Sequence, residues 1–308
     1  MTSSVQIPRS HFLAFAAALA AMYSHVDAQQ VDNPVVFALA TEVAEEVELI
    51  REVMGRPFDD SPRLPASNVS QLETYFQAQT LFRKSNQLAQ EIAGAPRLAA
   101  PAVPDEALQP GDIHAVIMQA REQVALVKEA LGIETEVTSA EIGSGSVVGV
   151  FMTVIDLNRQ LNLLLDTPIA PRDVFEQVSL AILYSAGILS TYGVHDIPPP
   201  APFDGYKRPG DVYGLLLQMI DQVSDIARDA DVGVLRLSTA RNIPDDIEPG
   251  HVYDIARILV STLATLADAL EADDVFPTLE EPERIFPTQV FERATILERQ
   301  LVQLEPLI

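Results

Sequence analysis

The sequence predicts an all-α protein. It consists of about eight amphipathic helices from a degenerate single-helix repeat, forming a helical bundle or a short irregular α-solenoid with long Pro-rich connecting straps. Three observations carry this prediction. One helix-start line recurs along the chain. An apolar column with helical spacing follows each copy. Proline-rich connections of 15 or 16 residues separate the later copies.

The start line is clearest in "RPGDVYGLLLQMIDQVSDIARDA" from Arg208, "EPGHVYDIARILVSTLATLADAL" from Glu248 and "APRDVFEQVSLAILYSAGILSTY" from Ala170. Seven windows align, from Asp32, Gln109, Gly143, Ala170, Arg208, Glu248 and Phe286. Five of the seven carry proline in second place: Pro110, Pro171, Pro209, Pro249 and Pro287. Asp112, Ser146, Asp173 and Asp211 share the fourth place, and the fifth is always Val or Ile. Proline ends whatever precedes it and pre-sets an extended entry. The Asp or Ser is then expected to accept a hydrogen bond from an orphan N–H of the first turn. A carboxylate there also meets the positive end of the helix dipole. These aspartates therefore read as caps, not as catalytic groups or metal ligands.

After each start, apolar residues recur at spacings of 4, 3, 4, 3 and 4, as in Val212, Leu216, Met219, Val223, Ile226 and Ala230. A strand would alternate at period 2 instead. An eighth helix is expected over about 68–93, sharing the later column through Ala78, Leu81, Ser85 and Leu88 but lacking the proline start. No copy can bury its stripe alone, so the copies must stack.

The connections set the expected topology. The four residues Asp166–Ile169 predict antiparallel neighbours on either side. Gly193–Lys207, Asp231–Asp246 and Glu271–Ile285 are long enough to run back along a helix, so the later helices are expected to stack parallel, each joined by a return strap. "VGVLRL" from Val232 reads as a short extended piece of one strap.

The chain has 44 acidic against 20 basic residues, a net charge of −24. Such a field repels nucleic acid and anionic membrane surfaces and favours cationic partners. The first 28 residues read as a cleaved secretory signal: Arg9, an apolar run from Phe12 to Tyr23, and the exit Val26-Asp27-Ala28. Residues 29–308 then form a single all-helical repeat domain in the periplasm or secreted space. There is no cysteine, so neither disulfides nor thiolate metal sites are available.

No nucleophile motif, phosphate loop or paired-histidine metal motif appears, so neither an enzyme nor a cofactor is expected. His114, His195 and His251 are scattered. The oddest helical stretch is "IDLNRQLNLLL", Ile155–Leu165. The repeat alignment puts Asn158 in the core column, where a lone amide would set helix register or contact a ligand. Arg159 and Asn162 adjoin it, with Asp156 or Glu176 as the expected partner of Arg159. The functional expectation is a non-enzymatic scaffold or protein-interaction module with a protein partner or self-association. The alternative is a small-molecule binding or sensory module with a pocket near Asn158 and Arg159.

Overall fold

The computed structural model describes residues 31–60, 64–104, 106–138, 145–238, 246–273, 275 and 277–308. The N-terminal signal expectation lies outside the described residues. Among the described residues eight α-helices carry the fold: α1 (Asn33–Met54), α2 (Gln71–Ala93), α3 (Pro110–Ala130), α4 (Val147–Leu164), α5 (Pro171–Thr191), α6 (Pro209–Asp229), α7 (Pro249–Ala269) and α8 (Pro287–Leu304). Two short strands, β1 (Ala66–Ser67) and β2 (Arg236–Leu237), pair antiparallel. The protein is thus an all-α helical bundle protein.

Helix starts at 33, 71, 110 and 147, and again at 171, 209, 249 and 287, recur about every 38 residues within each half. The α4–α5 step is shorter because the strap is missing there. The two halves have the same connectivity. In the first, α1 and α2 each pack against α3 and α4; in the second, α5 and α6 each pack against α7 and α8. Each half has an apolar core, and the second core also takes in Val69, Phe76 and Phe151 from the first half. Val36, Val43, Ile117, Val124, Val154 and Leu161 belong to the first core, and Val212, Leu216, Leu259, Leu263 and Leu297 to the second.

Within each half all four helices run parallel. Pro171, Pro209, Pro249 and Pro287, with Val174, Val212, Val252 and Val290, converge on one axis around a void of about 10 Å³. Four helix starts therefore lie at one end. The straps make this possible. After α2, the chain runs back along it: Asn86 donates to Pro96 O at 3.0 Å, Gln79 to Pro101 O at 2.6 Å, and Tyr75 to Ala102 O at 2.6 Å. After α5, it runs back along α8: Arg299 donates to Pro199 O at 2.9 Å and Thr295 accepts from Ala201 N–H at 3.0 Å. The return straps expected from their length are the observed topology, and the extended piece near Val232 is β2.

Two details differ from the sequence expectation. Asp166–Ile169 does not join packed neighbours: α4 lies against α1, α2 and α7, and α5 against α7 and α8. The link hands the chain from one bundle to the next. The fourth-place aspartates are not N-caps. The caps are Gln109, Ala170 and Arg208, and Asp112, Asp173 and Asp211 reach back from the third helical position to accept their backbone N–H groups at 2.8, 2.9 and 2.7 Å. In the α4 copy the cap is Ser146, which accepts from Gly149 N–H at 3.2 Å. That copy therefore begins three residues later than the alignment placed it. Its buried column is Val150, Val154, Leu157, Leu161 and Leu164.

The bundles meet along α2 and α7, with α4 also touching α7. Glu73 pairs with Thr265 and Lys84 with Asp254, so α2 and α7 cross antiparallel and the two bundles point in opposite directions. By length and composition α4 and α5 could each cross a membrane; here 39% and 50% of their apolar 18-residue stretches are buried within the bundles.

Candidate functional site

Asn158 is fully buried, but it leaves the core column for the adjoining face because of the three-residue shift. It sits in the seam between bundles. Its Nδ2 donates to Gln77 O at 3.1 Å and to Gln77 Oε1 at 3.3 Å. Its carbonyl accepts from Lys84 Nζ at 3.0 Å. Asn162, one turn on, donates to Asp254 Oδ2 at 3.0 Å. Asp254 Oδ1 lies 2.5 Å from Lys84 Nζ, completing a node shared by α2, α4 and α7. Burial holds the Lys84 ammonium below its ordinary pKa of 10.5, with Asp254 opposing that shift. Three buried atoms around this node, Gln77 Nε2, Asn158 Oδ1 and Asn162 Oδ1, have no partner among the described residues.

Along the seam, Arg257 is a second buried cation. It donates to Gln79 Oε1 at 2.7 Å, Phe76 O at 3.1 Å, Gln177 Oε1 at 3.1 Å and Thr80 Oγ1 at 3.3 Å, and its guanidinium lies 4.5 Å from the Phe76 ring centroid. Arg83 bridges Tyr253 Oη and Asp173. This polar seam joins the bundles and is closed to solvent at its centre.

Arg159 faces the other way. Its guanidinium holds Asp59 at 2.9 and 3.1 Å, and Asp156 at 3.6 Å. Asp156 was an expected partner; Asp59, in the strap after α1, was not visible from sequence spacing. Gln160 clamps the same strap, donating to Asp59 O at 3.1 Å and accepting from Asp59 N–H at 3.2 Å. His251 Nε2, at the start of α7, lies 3.9 Å from Asp59. Arg159 is thus a positioning residue for a wall.

That wall borders a groove of about 1050 Å³ between α1 and α4. Ala44, Val47, Leu49 and Leu157 make its apolar floor, and Phe58, 56% exposed, stands at its edge. Glu45, Glu48 and Glu52 line the α1 side; Asp59, Asp60, Glu136 and Asp156 line the others. Arg51 hydrogen-bonds Glu48 and keeps that carboxyl below its ordinary range. Of the three residues singled out from sequence, Arg159 lines this groove, while Asn158 and Asn162 belong to the seam. The α1 acids were readable in principle, since positions i, i+3 and i+7 share one helix face. The strap acids were not.

One other group brings a serine, a histidine and a carboxylate together. Ser190 Oγ lies 3.2 Å from His195 Nδ1 and 3.1 Å from Asp273 Oδ2. The serine stands between the imidazole and the carboxylate, whereas nucleophile activation needs the imidazole in the middle. His251 Nδ1 accepts from Glu248 N–H at 3.1 Å, doing at α7 what the aspartates do elsewhere. Burial lowers the His114 pKa at the start of α3. Among the described residues no three His, Cys, Asp or Glu side chains gather as metal ligands would.

The fold and groove define a class: an all-α protein of two four-helix bundles, each built of parallel helices, with an acidic cleft on one of them. No family model, no curated protein and no solved structure matches the chain.

Proposed function

We propose that this is an exported, non-enzymatic interaction module that holds a cationic protein partner in the groove between α1 and α4. One observation carries the reading. The groove combines an apolar floor with carboxylates on both sides. Binding sites generally pair an apolar concavity with a few placed polar groups. The excess of acids over the whole chain draws a cationic partner towards it. A small-molecule pocket centred on Asn158 has less support, because that side chain is fully buried and engaged with Gln77.

Photo-crosslinking in the native host tests this. A benzoylphenylalanine at position 58 should trap a protein adduct that fractionates with the envelope. The same group at Val302, exposed on α8 of the other bundle, should not. Adducts of equal yield at both positions, no adduct at either, or an adduct found only in cytosol would overturn the proposal.

A further inference from the structure

The seam holds the cations Arg83, Arg257 and Lys84, and the two guanidiniums keep their protons in any protein setting. Lys84 differs in chemistry. An amine that gives up its proton is a nucleophile, and complete burial favours that neutral form. A simple ion pair would need only Asp254 beside it. Here a carboxamide shares the same carboxylate: Asp254 Oδ1 lies 2.5 Å from Lys84 Nζ, and Asp254 Oδ2 accepts from Asn162 Nδ2 at 3.0 Å. An ionised carboxylate can only accept, so the amide nitrogen of Asn162 faces it and Oδ1 points elsewhere.

Asn162 Oδ1 is buried and has no hydrogen-bond partner among the described residues. It lies against the first turn of α7. A Cβ on Gly250 would stand 2.6 Å from that oxygen and 2.8 Å from Asn162 Cγ, so the glycine leaves the room that the carboxamide fills. The first N–H groups of a helix lack intrahelical acceptors, and the helix dipole is positive there. Negative charge developing on Oδ1 would therefore meet a favourable field.

We infer that this node is a site of self-modification, in which Lys84 Nζ attacks Asn162 Cγ and an amide bond joins α2 to α4. Asp254 first takes a proton from the ammonium, which removes both charges of the pair at once. The free amine adds to Cγ, and Oδ1 takes up the electron pair of the C=O bond. Asp254 hands its proton to Nδ2 and takes a second one from Nζ. The Cγ–Nδ2 bond then breaks, its electron pair leaves with the nitrogen as ammonia, and the C=O bond re-forms. The proton left on Asp254 departs with the ammonia as ammonium. Asn162 is only half-buried, which gives the product a way out. In the ion pair the lysine electron pair is held by a proton, so freshly folded chain keeps the pair and the amide accumulates slowly. Lys84 and Asn162 belong to the first bundle, Asp254 and Gly250 to the second, so the bond forms only once the bundles have docked. A chain without cysteine thereby gains a covalent tie of the kind disulfides give.

Peptide mapping of the full chain, before and after prolonged incubation at neutral pH, tests this. Tandem mass spectrometry should find a branched tryptic peptide that joins the Lys84 segment to the Asn162 segment, lighter than their sum by one ammonia. The branch point distinguishes it from ammonia lost at any other residue. Gly250→Ala displaces the flexible end of Asn162 and should lower the yield of branched peptide about a hundredfold. Asp254→Asn keeps the shape without the base and should lower it about as much. Absence of the branched peptide from incubated wild-type protein would overturn the inference. Lys84 joined to Asp254 with loss of water would sink the choice of Asn162. Wild-type yield in both variants would rule out the mechanism. Should Asp254→Asn fail to fold, the wild-type map and Gly250→Ala still decide the matter.

Discussion

Lys84 shows how much one residue carries. It is one of only three lysines in the chain, and it is completely buried between the bundles. Removing one member of a buried ion pair strands the other, which costs about 3–5 kcal/mol, whereas replacing both by apolar groups is often neutral. Lys84→Met alone should therefore destabilise by about that amount in urea unfolding, and Lys84→Met with Asp254→Leu should recover most of it. Burial holds the Lys84 pKa below 10.5, so in the window from its folded value up to 10.5 the unfolded chain binds this proton more readily. The contribution of Lys84 to stability must then rise with pH across that window. The rise should appear in wild-type protein between neutral pH and pH 10.5 and be missing from the double variant. Nothing in its local sequence, "LFRKSNQ", announces this role, because its partner lies 170 residues away.

At the scale of the element, each helix is started by chemistry written within four residues. Proline at the first position, an acidic or polar residue at the third and Val at the fourth recur in α3, α5 and α6, with Ile for Val in α3. Glu73 of α2 does the same work and is itself fully buried, accepting also from Leu235 N–H at 3.3 Å and Thr265 Oγ1 at 3.2 Å. Asp211→Ala removes one exposed back-bond and its charge at the helix dipole, a loss of about 1 kcal/mol. Glu73→Ala removes the equivalent bond and also unpairs groups in the seam, so it should cost more than Asp211→Ala in the same melting experiment. Equal losses would mean that the buried contacts of Glu73 contribute nothing. The helices and most of the core column were legible in the sequence because helical period and start signals are local. The α4 copy was misaligned by three residues because it lacks the proline start, and that slip put Asn158 in the core instead of the seam.

For the whole molecule, four parallel helices bring four positive dipole ends together, each equivalent to about half a charge. Acids at the third helical position offset this locally. The opposite orientation of the two bundles offsets it globally, since the positive end of one lies beside the negative end of the other. The seam that enforces this orientation is polar and specific: Lys84 with Asp254, Arg83 with Asp173, and Arg257 with four neutral acceptors. It couples two cores, the second of which also takes in Val69, Phe76 and Phe151 from the first half. Arg257→Met would strand those acceptors and weaken the coupling, leaving Lys84–Asp254 and Arg83–Asp173 to hold the seam. Scanning calorimetry should then resolve two transitions where the wild-type protein gives one. A single transition moved to lower temperature would show that the bundles do not melt as separate units.

By itself the sequence determined the helices, their starts, the apolar stripes and the need for long return straps. Each of these follows from residues within a turn or two, or from the length a strap must span. Only the tertiary structure decided that the repeats close four by four into two bundles, which strap lies on which helix, and where the acidic groove falls. Those outcomes depend on contacts that no local pattern announces, from Tyr75 with Ala102 to Asp59 with Arg159 and Lys84 with Asp254. A repeat that offers every copy nearly the same stripe leaves its partner undetermined. The choice falls to the few polar residues that depart from the repeat, because burying them unpaired costs more than any difference between the stripes.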